Sequence, residues 1–141
     1  MFIIREIAYA FRAVRALAGG GKLNIKQICE RESIPTEFGY KILKKLSRAG
    51  LVTVIRGQGG GYRLSCDPDH TTLLDIASAI SDSLFLNECV ENGYDCINNT
   101  GDRKCMVNRE LCRIQKVLDA ELRAHSLTEI LQADDQQTPA E

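Results

Sequence analysis

Apolar side chains recur at three- and four-residue steps near the start of the chain, where Ile3, Ile4, Ile7, Ala8, Phe11, Val14, Leu17 and Ala18 share one side of a helix. This predicts an amphipathic helix over residues 3–18, ended by Gly19-Gly20-Gly21. Asn24 with Gln27 three residues on has the form of a capping box, opening a second helix with Ile25, Ile28 and Cys29 inward. Ser33-Ile34-Pro35 breaks the chain, because the residue before proline avoids the helical region. Thr36 is the expected cap of a third helix reaching Ala49, with Phe38, Ile42, Leu43 and Leu46 inward. Beyond Gly50 the pattern changes to two short strands, Leu51 to Ile55 and Tyr62 to Leu64, around the tip Arg56-Gly57-Gln58-Gly59-Gly60-Gly61.

The later part of the chain is patterned differently. Thr72-Leu73-Leu74-Asp75 is a second capping box, opening a helix through Ile80 whose Leu73, Ile76, Ala77 and Ile80 should pack on what precedes. Val107, Leu111, Ile114, Leu118 and Leu122 then form an apolar seam on a helix expected to run over residues 106–131. A helix of that length has little of its own chain to lie on, and pairing with a second copy is the natural cover. Folding back onto its own domain is the alternative. The expected organisation is mainly α with a small β-wing: a winged helix-turn-helix over 1–66, a linking helix over 67–86, a cysteine-rich loop over 87–105, a dimerisation helix over 106–131, and a disordered tail over 132–141.

At 141 residues and 44% apolar content the chain can bury one ordinary core. Arg5, Glu6, Arg12 and Arg15 interrupt the apolar start too often for a signal peptide or a membrane span, so a cytoplasmic location is expected. The formal net charge of −1 conceals an asymmetry: residues 1–66 hold 12 Lys/Arg against 4 Asp/Glu (+8), and residues 67–141 hold 6 against 15 (−9). A polyanion is the expected partner of the first half.

Lys41, Lys44, Lys45 and Arg48 put four cations on the outer face of the third helix. Helix, tight turn and basic helix is the arrangement that seats one helix in the DNA major groove. Thr36, Glu37, Tyr40 and Lys41, at its start, are candidate base readers, and Lys44, Lys45 and Arg56 candidate phosphate contacts. Gly59 and Gly60 at the wing tip suit close approach to the backbone or a minor groove. An enzyme is not expected: there is no Gly-rich dinucleotide motif in a βαβ context and no nucleophile–base set, and His70 and His125 are isolated.

Four of the six cysteines, Cys89, Cys96, Cys105 and Cys112, crowd into one polar stretch. In a reducing compartment they point to metal binding, redox chemistry or burial rather than to disulfides. Thiolates suit iron-sulfur clusters, zinc or copper(I), and the lack of any CxxC pair puts zinc behind iron-sulfur. Cys29 reads as core, and Cys66 carries no special assignment.

"IPTEFGYKILKKLSRAGLV" followed by "RGQGGGYRL" resembles the Rrf-two family of bacterial transcription regulators, the group that includes IscR, NsrR and CymR, over about residues 1–131. The resemblance implies a homodimeric winged-helix repressor on double-stranded operator DNA, many members holding a [2Fe-2S] cluster on three cysteines ahead of a long dimerisation helix. Cys89, Cys96 and Cys105 correspond in order to those three. This chain departs from the pattern in its longer gaps of six and eight residues, and in Asn108 and Ala8 where some members carry a histidine or an aspartate ligand. Cys112 is either the fourth ligand or a buried thiol: a helix through both would hold it about 10.5 Å along the axis from Cys105, so sharing a cluster requires the helix to begin after Cys105. Without a cluster, the same fold would answer through a thiol switch or a protein partner.

Overall fold

The computed structural model describes residues 4–135. The elements run α1 (Arg5–Ala18), α2 (Ile25–Glu32), α3 (Thr36–Arg48), β1 (Val52–Ile55), β2 (Gly61–Leu64), α4 (Leu73–Ile80), a 3₁₀ turn (Glu88–Val90), α5 (Met106–Arg123) and α6 (Leu127–Asp135). Four helices enclose one core. Ile7, Val14 and Leu17 of α1, Ile28 of α2, Ile42, Leu43 and Leu46 of α3, and Ile76 of α4 are all essentially inaccessible to solvent.

The expected first helix loses its start: Ile3 lies outside the described residues, and Ile4 is the exposed N-cap. Ala8 and Phe11 are only half-buried, and the fully buried face of α1 runs through Ile7, Ala10, Ala13, Val14, Ala16 and Leu17. The Asn24–Gln27 capping box forms as the sequence predicts, with both reciprocal bonds at 2.9 Å. Ser33 then turns the chain with φ of 53°, in the left-handed region that non-glycine residues seldom adopt.

Thr36 does not cap α3. Pro35 holds the N-cap position with φ of −58°, so Thr36 is the first helical residue and α3 has no side-chain cap. The α2–α3 corner is tight. A Cβ on Gly39 would stand 2.6 Å from the Cys29 sulfur, so the helices approach at this point as closely as a bare glycine permits.

β1 and β2 pair antiparallel in the register Val52↔Leu64, Thr53↔Arg63, Val54↔Tyr62 and Ile55↔Gly61. Leu23 adds a bridge on the free edge of β2, its N–H donating to Tyr62 at 3.0 Å and its carbonyl accepting from Tyr62 at 2.8 Å. The wing is therefore stitched to the segment that leads into α2.

The Thr72–Asp75 capping box also forms. On α4 the buried set is Leu74, Ile76, Ala77 and Ile80, while Leu73 is half-buried. The larger correction concerns the single helix expected over 106–131. α5 ends at Arg123, and a separate helix, α6, starts at Leu127. Leu127 N–H donates to the Thr71 carbonyl at 2.8 Å, Thr128 N–H to the Pro68 carbonyl at 3.2 Å, and Leu127 joins the core. Ser126 and Glu129 exchange side-chain–backbone bonds at 2.8 and 3.3 Å, a capping box that restarts the helix. Residues 132–135 of the expected tail belong to α6, and 136–141 lie outside the described residues.

Candidate nucleic-acid interface and cysteine segment

α3 turns Ile42, Leu43 and Leu46 inward, and this fixes what faces out. Thr36, Glu37, Tyr40, Lys41, Lys44 and Arg48 are exposed along one stripe, Tyr40 at 56%. Two of the basic side chains are held from behind. The Glu6 carboxylate of α1 receives Lys41 Nζ at 2.5 Å and Lys45 Nζ at 3.2 Å, and Lys45 also donates to the Ile80 carbonyl at 2.9 Å. The two ammonium groups keep the Glu6 carboxyl below the ordinary carboxylate range, the Lys41 hydrogen bond being the largest cause. Lys45 is half-buried, so it braces α3 against α1 and α4 as well as adding charge; Lys44 is exposed.

The wing carries Arg56 exposed beside the tip. Its glycines answer first to their own backbone. A side chain on Gly60 would collide with the Ile55 carbonyl, and one on Gly61 would lie 2.6 Å from the Leu23 carbonyl. Lys22 donates its ammonium to the Gly59 carbonyl and ties the tip to the chain before α2. Neither Lys22 nor Glu6 is visible as a site residue in the sequence, because both act across the fold.

The four cysteines of the polar stretch are free thiols and half-buried. Cys89 sits in the 3₁₀ turn, and Cys105 is the N-cap of α5. The helix thus begins at Met106, with Cys105 at its N-cap and Cys112 about two turns further along. Asn108 links three of the four: its backbone N–H donates to Cys105 Sγ at 3.4 Å, its Oδ1 lies 3.8 Å from Cys112 Sγ, and its Nδ2 donates to the Cys89 carbonyl. The Cys96 carbonyl accepts from Asn99 N–H at 2.9 Å, and among the described residues no three metal-ligating side chains converge. Gln115, only 5% exposed, fastens the approach to this segment by accepting from Leu86 N–H at 2.8 Å and donating to the Leu84 carbonyl at 3.2 Å. Cys29 is buried against Gly39, and desolvation pushes its thiol up, as befits a core residue. Cys66 is half-buried at the end of the wing and packs against the core.

A family model described as "Rrf2: Iron-dependent Transcriptional regulator" matches residues 3–133. The chain belongs to the Rrf2 family. It is 32% identical to the HTH-type transcriptional regulator NsrR of Bacillus subtilis over 120 residues, 83% of this chain and 76% of that protein. It is 37% identical to protein aau3 of Rhizobium meliloti over 99 residues, 68% of this chain and 64% of the relative, so the matched stretch spans just under two thirds of that protein. Among solved structures, IscR of T. potens superposes with a TM-score of 0.75 at 21% identity, covering 100% of this chain and 93% of the other. The family is described as one of transcriptional regulators, and the solved structure shares the winged-helix fold. Among the described residues, no helix is long and apolar enough to cross a membrane.

Proposed function

We propose that the chain is a homodimeric repressor that reads a two-fold operator through α3 and is switched by a [2Fe-2S] cluster on the cysteine segment. The observation that carries the reading is the exposed stripe of Tyr40, Lys41 and Lys44 on a helix whose opposite face is locked in the core. The first turns of a recognition helix reach base edges, which assigns base readout to Thr36, Glu37, Tyr40 and Lys41. Lys44, Lys45 and Arg56 would neutralise phosphates, with the turn at Gly59 and Gly60 following the groove wall.

Cys89, Cys96 and Cys105 would hold the cluster, with Cys112 as fourth ligand. Their chemistry fits: thiolates are the donors such clusters take, and none of the four is engaged in a disulfide. When bound, the cluster supplies a centre sensitive to oxidation, nitric oxide and iron supply. The chain's contribution is mechanical. Cys105 stands at the start of α5 and Gln115 joins that helix to the stretch at Leu84–Leu86, so ordering the cysteine segment bears directly on α5.

A second reading, a cluster-free regulator that answers through its thiols or a protein partner, draws on the lack of three converging metal-ligating side chains among the described residues. Anaerobic purification with iron, acid-labile sulfide and visible-absorption measurements separates the two. The cluster reading expects iron and sulfide in equal amounts, lost when Cys89, Cys96 and Cys105 are replaced by serine. Anaerobically purified protein that holds neither iron nor sulfide would favour the second reading, and failure of both forms to select any fragment would reject DNA readout.

A further inference from the structure

The acidic half of the chain places its few cations together. Residues 67–141 hold six Lys/Arg against fifteen Asp/Glu, yet five of the six, Arg103, Lys104, Arg109, Arg113 and Lys116, line one open cavity of about 1060 Å³ at the start of α5. One carboxylate shares it, Glu110, paired to Arg113 at 2.7 Å. The side chains of Arg103, Lys104, Arg109 and Lys116 have no acidic partner among the described residues. Random placement of scarce cations in an acidic segment would spread them among the carboxylates. Gathering like charges around a concavity is unfavourable unless an anion fills it.

We propose that this cavity binds a multiply charged small anion, a di- or triphosphate or a polycarboxylate. Fork-shaped guanidinium donors from Arg103 and Arg109 with point charges from Lys104 and Lys116 match the several oxygens of such a ligand. Cys105 and Cys112 line the same cavity, so the bound anion lies over these two sulfurs and controls access to them. The site makes a metabolite level and the thiol state two inputs to one helix. It does not depend on the cluster reading, since the cations surround the cavity whatever the thiols hold.

The test is calorimetric titration of the full chain, as purified anaerobically and after iron removal, with inorganic pyrophosphate and with tricarballylate. Saturable binding of one anion per chain is expected in at least one form, and the preferred titrant tells phosphate from carboxylate chemistry. Arg109→Ser with Lys116→Ser should weaken it by roughly tenfold or more. Lys26→Ser with Arg31→Ser, which removes as much charge from α2, should leave it unchanged. In iron-free protein, pyrophosphate should slow iodoacetamide alkylation of Cys105 and Cys112 severalfold while Cys66 reacts at its former rate. If the double variant folds poorly, Arg103→Ser with Lys104→Ser in the preceding loop gives the same readout. No saturable binding, or equal loss in the α2 control, overturns the site; binding without protection of the two thiols overturns the link between them.

Discussion

Glu6 ties α3, the helix proposed to face DNA, to α1 behind it. Its carboxylate holds Lys41, which a DNA phosphate would have to draw away, and helps to fasten Lys45. Glu6→Gln should therefore tighten DNA binding at low salt and steepen its salt dependence, by up to about two counterions if both ammonium groups are freed. The same pairing sets a pH effect. The folded carboxyl titrates below its unfolded value, so its stabilisation is present above roughly pH 4.3 and is lost as pH falls through the folded value. Melting curves of wild type and Glu6→Gln should converge on acidification below about pH 4 and diverge above it. A curve for Glu6→Gln that parallels wild type throughout would deny the pairing any weight. Lys44 and Lys45 give the complementary contrast. Lys44→Ala should lower DNA affinity at all sequences and leave the melting temperature alone, whereas Lys45→Ala should lower both, because only Lys45 reaches the Ile80 carbonyl.

At the scale of elements, what the sequence discloses is governed by how local the cause is. Both capping boxes, Asn24–Gln27 and Thr72–Asp75, are settled by side chains three residues apart, and both form. The strands follow from apolar runs bounded by glycine. The break between α5 and α6 has the same kind of signal in Ser126-Leu-Thr-Glu129, but no glycine or proline marks it and apolar residues resume beyond it at Leu127, Ile130 and Leu131. Its cause is tertiary as well, since the carbonyls of Pro68 and Thr71 capture the first amides of α6. Gln115 was equally hidden: a polar residue on an amphipathic helix reads as surface, and only the fold supplies Leu84 and Leu86 to bury it. Ser126→Ala should cost about 1 kcal/mol and loosen α6 selectively. Amide exchange at Leu127 and Thr128 should accelerate while that of α3 holds; uniform acceleration would mean that α6 is integral to the cooperative core.

Across the whole molecule, the face of α5 turned away from the core is apolar where it should be polar. Met106, Val107, Ile114 and Val117 are exposed, Val117 at 51% and Ile114 at 38%, whereas Gln115 and Leu122 are buried on the other side. Of the expected seam, Leu122 is buried, Leu111 and Leu118 are half-buried, and Val107 and Ile114 face solvent. The seam thus divides its work between the chain's own fold and a surface suited to a second copy. Val117→Glu should turn a dimer into a monomer by sedimentation, with little change in the melting temperature, and should weaken operator binding by more than tenfold as the half-sites are bound separately. A Val117→Glu protein that stays dimeric would place the interface elsewhere.

Because Leu23 hydrogen-bonds to Tyr62 and Lys22 grips the tip, the hairpin cannot swing like a hinged flap. It must ride with the segment that leads into the second helix as a single jaw. A duplex entering that jaw has to supply the bending itself, so this protein should discriminate among targets partly by how readily they curve.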